Sequence, residues 1–158
     1  MPFIILYTEE GNTEEQKQSV CKDITLGISK HFNIPEQAVR IIFQELKANQ
    51  LSYSGCLKSS AEYKAKKAEI QNTNPNALLT MPLVVLYTEE GKTEKQYQEA
   101  AKDITLGISK HFDIPERAVR IVFQEITENR IASGGLLESS TEYKTKKAEI
   151  QNAKFKPE

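Results

Sequence analysis

The sequence predicts an α/β (α+β) protein in which two tandem β-α-β units form a four-stranded mixed sheet with two long helices on one face. Three observations carry this. First, Met1 to Asn72 aligns without a gap against Met81 to Asn152, with about two-thirds of positions identical, a self-similarity that sets the architecture before any single residue is read. Second, each copy reads strand, helix, strand, and a crossover helix forces its two strands parallel. Third, the opening segments Phe3-Ile4-Ile5-Leu6-Tyr7 and Leu83-Val84-Val85-Leu86-Tyr87 are apolar on both faces, as covered central strands are.

Each copy opens on Met-Pro, at Met1-Pro2 and Met81-Pro82, the mark of a duplicated and fused gene. The first strand stops at the turn Glu9-Glu10-Gly11, echoed by Glu89-Glu90-Gly91. Thr13 with Gln16, and Thr93 with Gln96, then satisfy the capping-box spacing, so a helix starts there. Val20, Ile24, Ile28 and Phe32, with Ala100, Ile104, Ile108 and Phe112, recur every three or four residues and give one buried stripe per helix. Asn33 and Asp113 end the helices ahead of Pro35 and Pro115. A second strand is expected over Val39–Glu45 and Val119–Glu125, where β-branched residues concentrate. The copies differ most over Leu46–Lys58 and Ile126–Glu138, where Gly55 and Gly134-Gly135 mark a loop or small hairpin, and a basic helix follows from Ser59 and Ser139. The domain reading is therefore a first repeat over 1–72, a linker over 73–80, a second repeat over 81–152 and a tail over 153–158.

Charge and composition narrow the function. Nine basic residues face nine acidic ones in the first half and twelve face thirteen in the second, so no cationic footprint favours nucleic acid. The longest apolar run is too short to cross a bilayer, and no basic leader precedes it, so a cytoplasmic protein without membrane contact is expected. Cys21 and Cys56 have Ala101 and Leu136 at the repeated positions, so a disulfide is not part of the shared fold. His31 and His111, at helix C-termini, read as structural residues stabilised by the helix dipole, and their surroundings offer no metal-ligand spacing.

Taken in order, Pro2, Glu10-Gly11, Gln16-Lys17, Ile34-Pro35, Val39-Arg40-Ile41 and Glu45, with Pro82, Glu90-Gly91, Gln96, Ile114-Pro115, Val119-Arg120-Ile121, Glu125 and Gly134-Gly135, resemble the 4-oxalocrotonate tautomerase branch of the tautomerase superfamily. The resemblance implies a cofactor-independent keto-enol isomerase acting on a small 2-oxo or 2-hydroxy-enoic carboxylic acid. In it Pro2, freed by removal of Met1, is the general base, while the nitrogen of Pro82 is locked in a peptide bond. The matching arginines, Arg40 and Arg120, would stabilise the dienolate, and which repeat supplies the one at Pro2 stays open. From the residues alone, each arginine lies between apolar neighbours and calls for a partner, with an ion pair to Glu45 or Glu125 as the alternative to a substrate role.

The family's arginine after Glu-Gly is replaced by Asn12 and Lys92, and its aromatic wall by Leu51 and Ile131; these four are expected to contact substrate. With Asn12 beside Pro2, the grip on a second carboxylate would be weakened. The resemblance further implies three fused chains rebuilding a ring of six modules, the apolar sheet faces packed together. The alternative is a catalytically decayed module that assembles or binds a small ligand.

Overall fold

A computed structural model describes residues 2–53, 55–73 and 81–153. In the first repeat, β1 (Phe3–Glu9) leads into α1 (Glu14–Phe32), a short turn of helix at Glu36–Ala38 and β2 (Arg40–Leu46). A hairpin of β3 (Ser52–Tyr53) and β4 (Cys56–Leu57) follows, then α2 (Ala61–Thr73). The second repeat supplies β5 (Leu83–Glu89), α3 (Glu94–Phe112), β6 (Arg120–Ile126), the hairpin β7 (Ala132–Ser133) and β8 (Leu136–Leu137), and α4 (Thr141–Ala153). Most of the expected linker, residues 74–80, and the tail beyond Ala153 lie outside the described residues.

The central sheet is four-stranded and mixed, in the order β2-β1-β5-β6. Strands β1 and β2 pair in parallel, as do β5 and β6. Between the repeats β1 and β5 run antiparallel, with Phe3 opposite Tyr87 and Ile5 opposite Val85. The expected architecture is the one observed.

Local chemistry accounts for the helix ends. Thr13 Oγ1 accepts from Gln16 N while Gln16 Oε1 accepts from Thr13 N, and Thr93 and Gln96 repeat the arrangement. Asn33 and Asp113 take the left-handed conformation, φ 52° and 53°, that stops each helix. Ser60 Oγ accepts from Tyr63 N and Ser140 Oγ from Tyr143 N, which caps α2 and α4.

Alternation along β1 and β5 turns Ile4, Leu6, Val84 and Leu86 toward the helices, where they are fully buried with Val20, Ile24, Ile28, Ala100, Ile104 and Ile108. Helices α1 and α3 cross close together at two glycines: a Cβ on Gly27 would stand 2.7 Å from Asp103 Cβ, and one on Gly107 would stand 2.7 Å from Asp23 Cβ. The same acids reach the histidines. His31 Nε2 lies 2.7 Å from Asp103 Oδ2, and His111 Nε2 lies 2.8 Å from Asp23 Oδ2. The helix-end role read for these histidines therefore includes a carboxylate from the other repeat.

Among the described residues, the opposite sheet face is uncovered. Phe3, Ile5, Tyr7, Val85 and Tyr87 are half-buried on it, and Ile42 and Val122 are 46% and 47% exposed. No helix is long and apolar enough to cross a membrane among the described residues.

Candidate active site

The antiparallel β1–β5 pairing decides what surrounds Pro2. With Phe3 opposite Tyr87, the start of β1 lies beside the end of β5. Pro2 is buried, and its carbonyl accepts a hydrogen bond from Arg40 N at 3.3 Å, which ties the strand's first residue into the sheet. An open cavity of about 440 Å³ forms there. Phe32, Ile34, Pro35 and Ala38 of the first repeat line one side with Pro2, and Thr88, Glu89, Lys92 and Lys147 of the second line the other.

Burial of Ile34 and Phe32 against the core gives this cavity a low-polarity wall, while the opposite wall is ionic. Lys92 Nζ stands 5.5 Å from the centroid of the Phe32 ring, within cation–π range. Tyr97 meets the same ring edge-on at 5.8 Å between centroids, and its hydroxyl donates to Glu125 Oε1. Burial first, and then the hydrogen bond to Glu125, pushes the Tyr97 phenol above its ordinary value. Glu89 stands on the same wall as Lys92 and Lys147.

A related cavity of about 310 Å³ surrounds Pro82, with Phe112, Ile114, Pro115 and Ala118 on one side and Thr8, Glu9, Glu10 and Asn12 on the other. Its chemistry differs. Asn12 Nδ2 donates to Thr8 Oγ1 at 3.2 Å and to Glu9 O at 3.4 Å, so the side chain is folded onto its own loop. Glu9 is paired with Lys58. In the second repeat Glu138 stands where Lys58 does in the first, and it accepts from Tyr143 and Ser133 instead.

These contacts correct two sequence expectations. Asn12 lies at Pro82 and Lys92 at Pro2, because each loop reaches the opening proline of the opposite repeat; the cavity at Pro2 thus keeps a cation where Asn12 would have removed one. Arg40 and Arg120 are exposed on the uncovered sheet face, so neither pays a burial penalty. Their expected carboxylate partners face the other way: Glu45 pairs with Lys17 and Glu125 with Tyr97. Neither arginine lines the Pro2 cavity of its own chain.

The hairpin positions separate in the same manner. Ile131 joins Phe3, Ile5, Tyr87, Thr88, Glu89 and Ile126 around an apolar groove of about 460 Å³ that shares Thr88 and Glu89 with the Pro2 cavity. Leu51 is half-buried, its carbonyl held by Lys58 N, and it does not line the Pro2 cavity. Sequence reasoning missed Phe32, Glu89 and Lys147. Phe32 reads as core, and Lys147 as one of many surface lysines; the exchange of Lys58 for Glu138 was the one visible sign that the two glutamates at the strand ends have different surroundings.

A family model described as tautomerase enzyme matches residues 2–61. A probable tautomerase of Lactococcus lactis subsp. lactis is 40% identical over 58 residues, which is 37% of this chain and 95% of that relative. The 2-hydroxymuconate tautomerase of Pseudomonas putida is 31% identical over 55 residues, 35% of this chain and 87% of its own. Among solved structures, a fused 4-OT wild-type asymmetric trimer superposes with a TM-score of 0.68 at 20% identity, covering 86% of this chain and 95% of that one. A native fused 4-OT also superposes with a TM-score of 0.68, at 16% identity, covering 89% and 98%. At these identities the structural likeness concerns the fold.

Proposed function

The chain belongs to the tautomerase family as a fused pair of its modules, and from that premise we propose that it is a cofactor-independent keto-enol isomerase of a small 2-oxo or 2-hydroxy-enoic acid, with Pro2 as its base. The observation that supports this most directly is the burial of Pro2 in a cavity walled by Phe32 and Ile34 and bordered by Lys92 and Lys147. Once Met1 is removed, Pro2 carries a secondary amine. Burial and the ammonium groups of Lys92 and Lys147 disfavour its protonated form, against the single opposing carboxylate of Glu89, which brings a strong base toward neutrality, where it can both take and return a proton.

In the proposed reaction the Pro2 nitrogen takes the enol hydroxyl proton of the substrate. The electron pair left on oxygen re-forms the carbonyl, the adjacent double bond shifts, and the same proton is returned to carbon. Negative charge spreads over the dienolate between these steps, and Lys92 lies where it stabilises that charge. The exposed positions of Arg40 and Arg120 support a contribution from a neighbouring chain, with the uncovered sheet faces packed against each other in a homotrimer, the assembly named for the fused 4-OT relative.

The Pro82 cavity favours a decayed partner site within the same chain. Its proline nitrogen is an amide, and Asn12 is held by Thr8 and Glu9. One catalytic centre per chain follows. The test is Pro2→Ala, checked by N-terminal mass analysis of the parent protein. Tautomerisation of phenylenolpyruvate or 2-hydroxymuconate should fall by about two orders of magnitude or more with the fold retained, the scale of losing a positioned general base. Full activity in that variant, or a parent protein that is active with Met1 still attached, removes Pro2 from the mechanism.

A further inference from the structure

We infer that Lys147, carried on α4, is a second carboxylate-anchoring residue of the Pro2 cavity, and that the duplication leaves one such anion site per chain. The inference rests on the tautomerase reading for the identity of the reaction, and on the two cavities of this chain for the site itself.

Comparison between the repeats carries the argument. The Pro2 cavity is bordered by two ammonium groups, Lys92 and Lys147, and by one carboxylate, Glu89. Its counterpart at Pro82 is bordered by Glu9, Glu10 and Asn12, with no lysine among its lining residues. The helices α2 and α4 are nearly identical in sequence, and Lys67 is the counterpart of Lys147, yet Lys67 does not line the Pro82 cavity. The same residue type is thus surface on one repeat and cavity wall on the other.

Two features orient Lys147. Its Nζ stands 5.9 Å from the Tyr143 ring centroid, one turn back on the same helix. The Tyr143 hydroxyl is in turn held by Glu138, the residue that replaces Lys58 of the first repeat. Lys147 shares the cavity wall with Glu89 and Lys92. The family match covers residues 2–61 and ends at Ala61, the first residue of α2, so α2 and its second-repeat counterpart α4 both lie outside the matched segment. An added helix here supplies a cation to the mouth of the site.

The net charge of that mouth is positive, and a small carboxylate is the ligand it suits. Calorimetric titration with 3-phenylpropanoate and with its neutral amide tests this without requiring turnover. The parent protein is expected to bind one equivalent of the carboxylate per chain, more tightly than the amide. Lys147→Gln should weaken carboxylate binding by about tenfold, the scale of one charge-assisted contact, Lys147→Arg should recover most of it, and Lys67→Gln should match the parent. Two equivalents per chain, equal affinity for acid and amide, or unchanged binding in Lys147→Gln would each overturn the inference. Should Pro2→Ala keep full turnover while Lys147→Gln loses carboxylate affinity, the proline mechanism falls and the anion site stands.

Discussion

Lys92 holds its ammonium 5.5 Å from the centre of the Phe32 ring, so a cation from the second repeat is fixed over an aromatic residue of the first. In the proposed mechanism the Pro2 site therefore draws on both repeats. Lys92→Gln is expected to lower kcat/KM by about 100- to 1,000-fold, the range for removing one group that stabilises developing charge, with Lys92→Arg recovering much of the loss. Steady-state kinetics with phenylenolpyruvate reads this, and a Lys92→Gln enzyme as efficient as its parent would separate the cavity from the chemistry.

The helix crossing has little space. A methyl group at Gly27 would meet Asp103 Cβ at 2.7 Å, closer than carbon atoms pack, and Gly107 faces Asp23 in the same way. Gly27→Ala and Gly107→Ala should each destabilise the fold by about 1–3 kcal/mol, the usual range for overpacking. The gain in helix propensity from Gly to Ala, about 1 kcal/mol, acts in the opposite direction and is smaller than the clash at its upper end. Urea unfolding of each variant checks the sign; stabilisation would mean that the helices separate freely.

The same aspartates bind across the helix pair. His31 Nε2 to Asp103 Oδ2 is 2.7 Å, with the histidine side chain 13% and the carboxylate 38% exposed. A double-mutant cycle of His31→Gln and Asp103→Asn should give a coupling of about 0.5–1 kcal/mol, reduced from a buried pair by solvent at the carboxylate. Zero coupling in urea unfolding would show that the two residues act independently.

Tyr97 offers a pH readout. Burial, then Glu125, raises its phenol pKa in the folded protein, so the protonated form is favoured by folding. Its contribution to stability is complete below the ordinary phenol value of about 10 and is lost as pH rises through the folded value. Alkaline absorbance titration should show one of the six tyrosines ionising after the ordinary range, with Tyr97→Phe removing that component and Glu125→Gln moving it down. A titration unaltered by Tyr97→Phe would contradict the assignment.

Ile42 and Val122 are each nearly half exposed on the sheet face away from the helices. Replacing both by Glu puts two charges on that face and should convert the proposed trimer into single chains, as measured by light scattering. A parent protein that already runs as a single chain would end the packing argument, and with it the route by which Arg40 or Arg120 reaches a Pro2 cavity.

Much of the local structure was legible because it follows from neighbours in the chain. The Thr13–Gln16 and Thr93–Gln96 boxes, the buried stripes from Val20 to Phe32 and from Ala100 to Phe112, and the stops at Asn33 and Asp113 depend on contacts a few residues apart, which periodicity and side-chain chemistry report directly. The repeat itself dictated that whatever one half forms, the other forms too. Pro2 stood out because the repeat sets it against Pro82, whose nitrogen lies in a peptide bond within the chain.

What surrounds Pro2 was decided by tertiary structure. The antiparallel join of β1 to β5 carries the loop of one repeat to the first residue of the other, so Lys92 and not Asn12 meets Pro2, and Lys147 arrives from a helix that ends the chain's second half. Strand alternation sends Arg40 to the face opposite Glu45, a consequence of pleating that their separation in sequence conceals until the register is known. Sequence determined the modules and their caps through short-range sterics and hydrogen bonding; only the long-range pairing of two strands about eighty residues apart, driven by burial of their shared apolar face, determined which charges sit in the cavity.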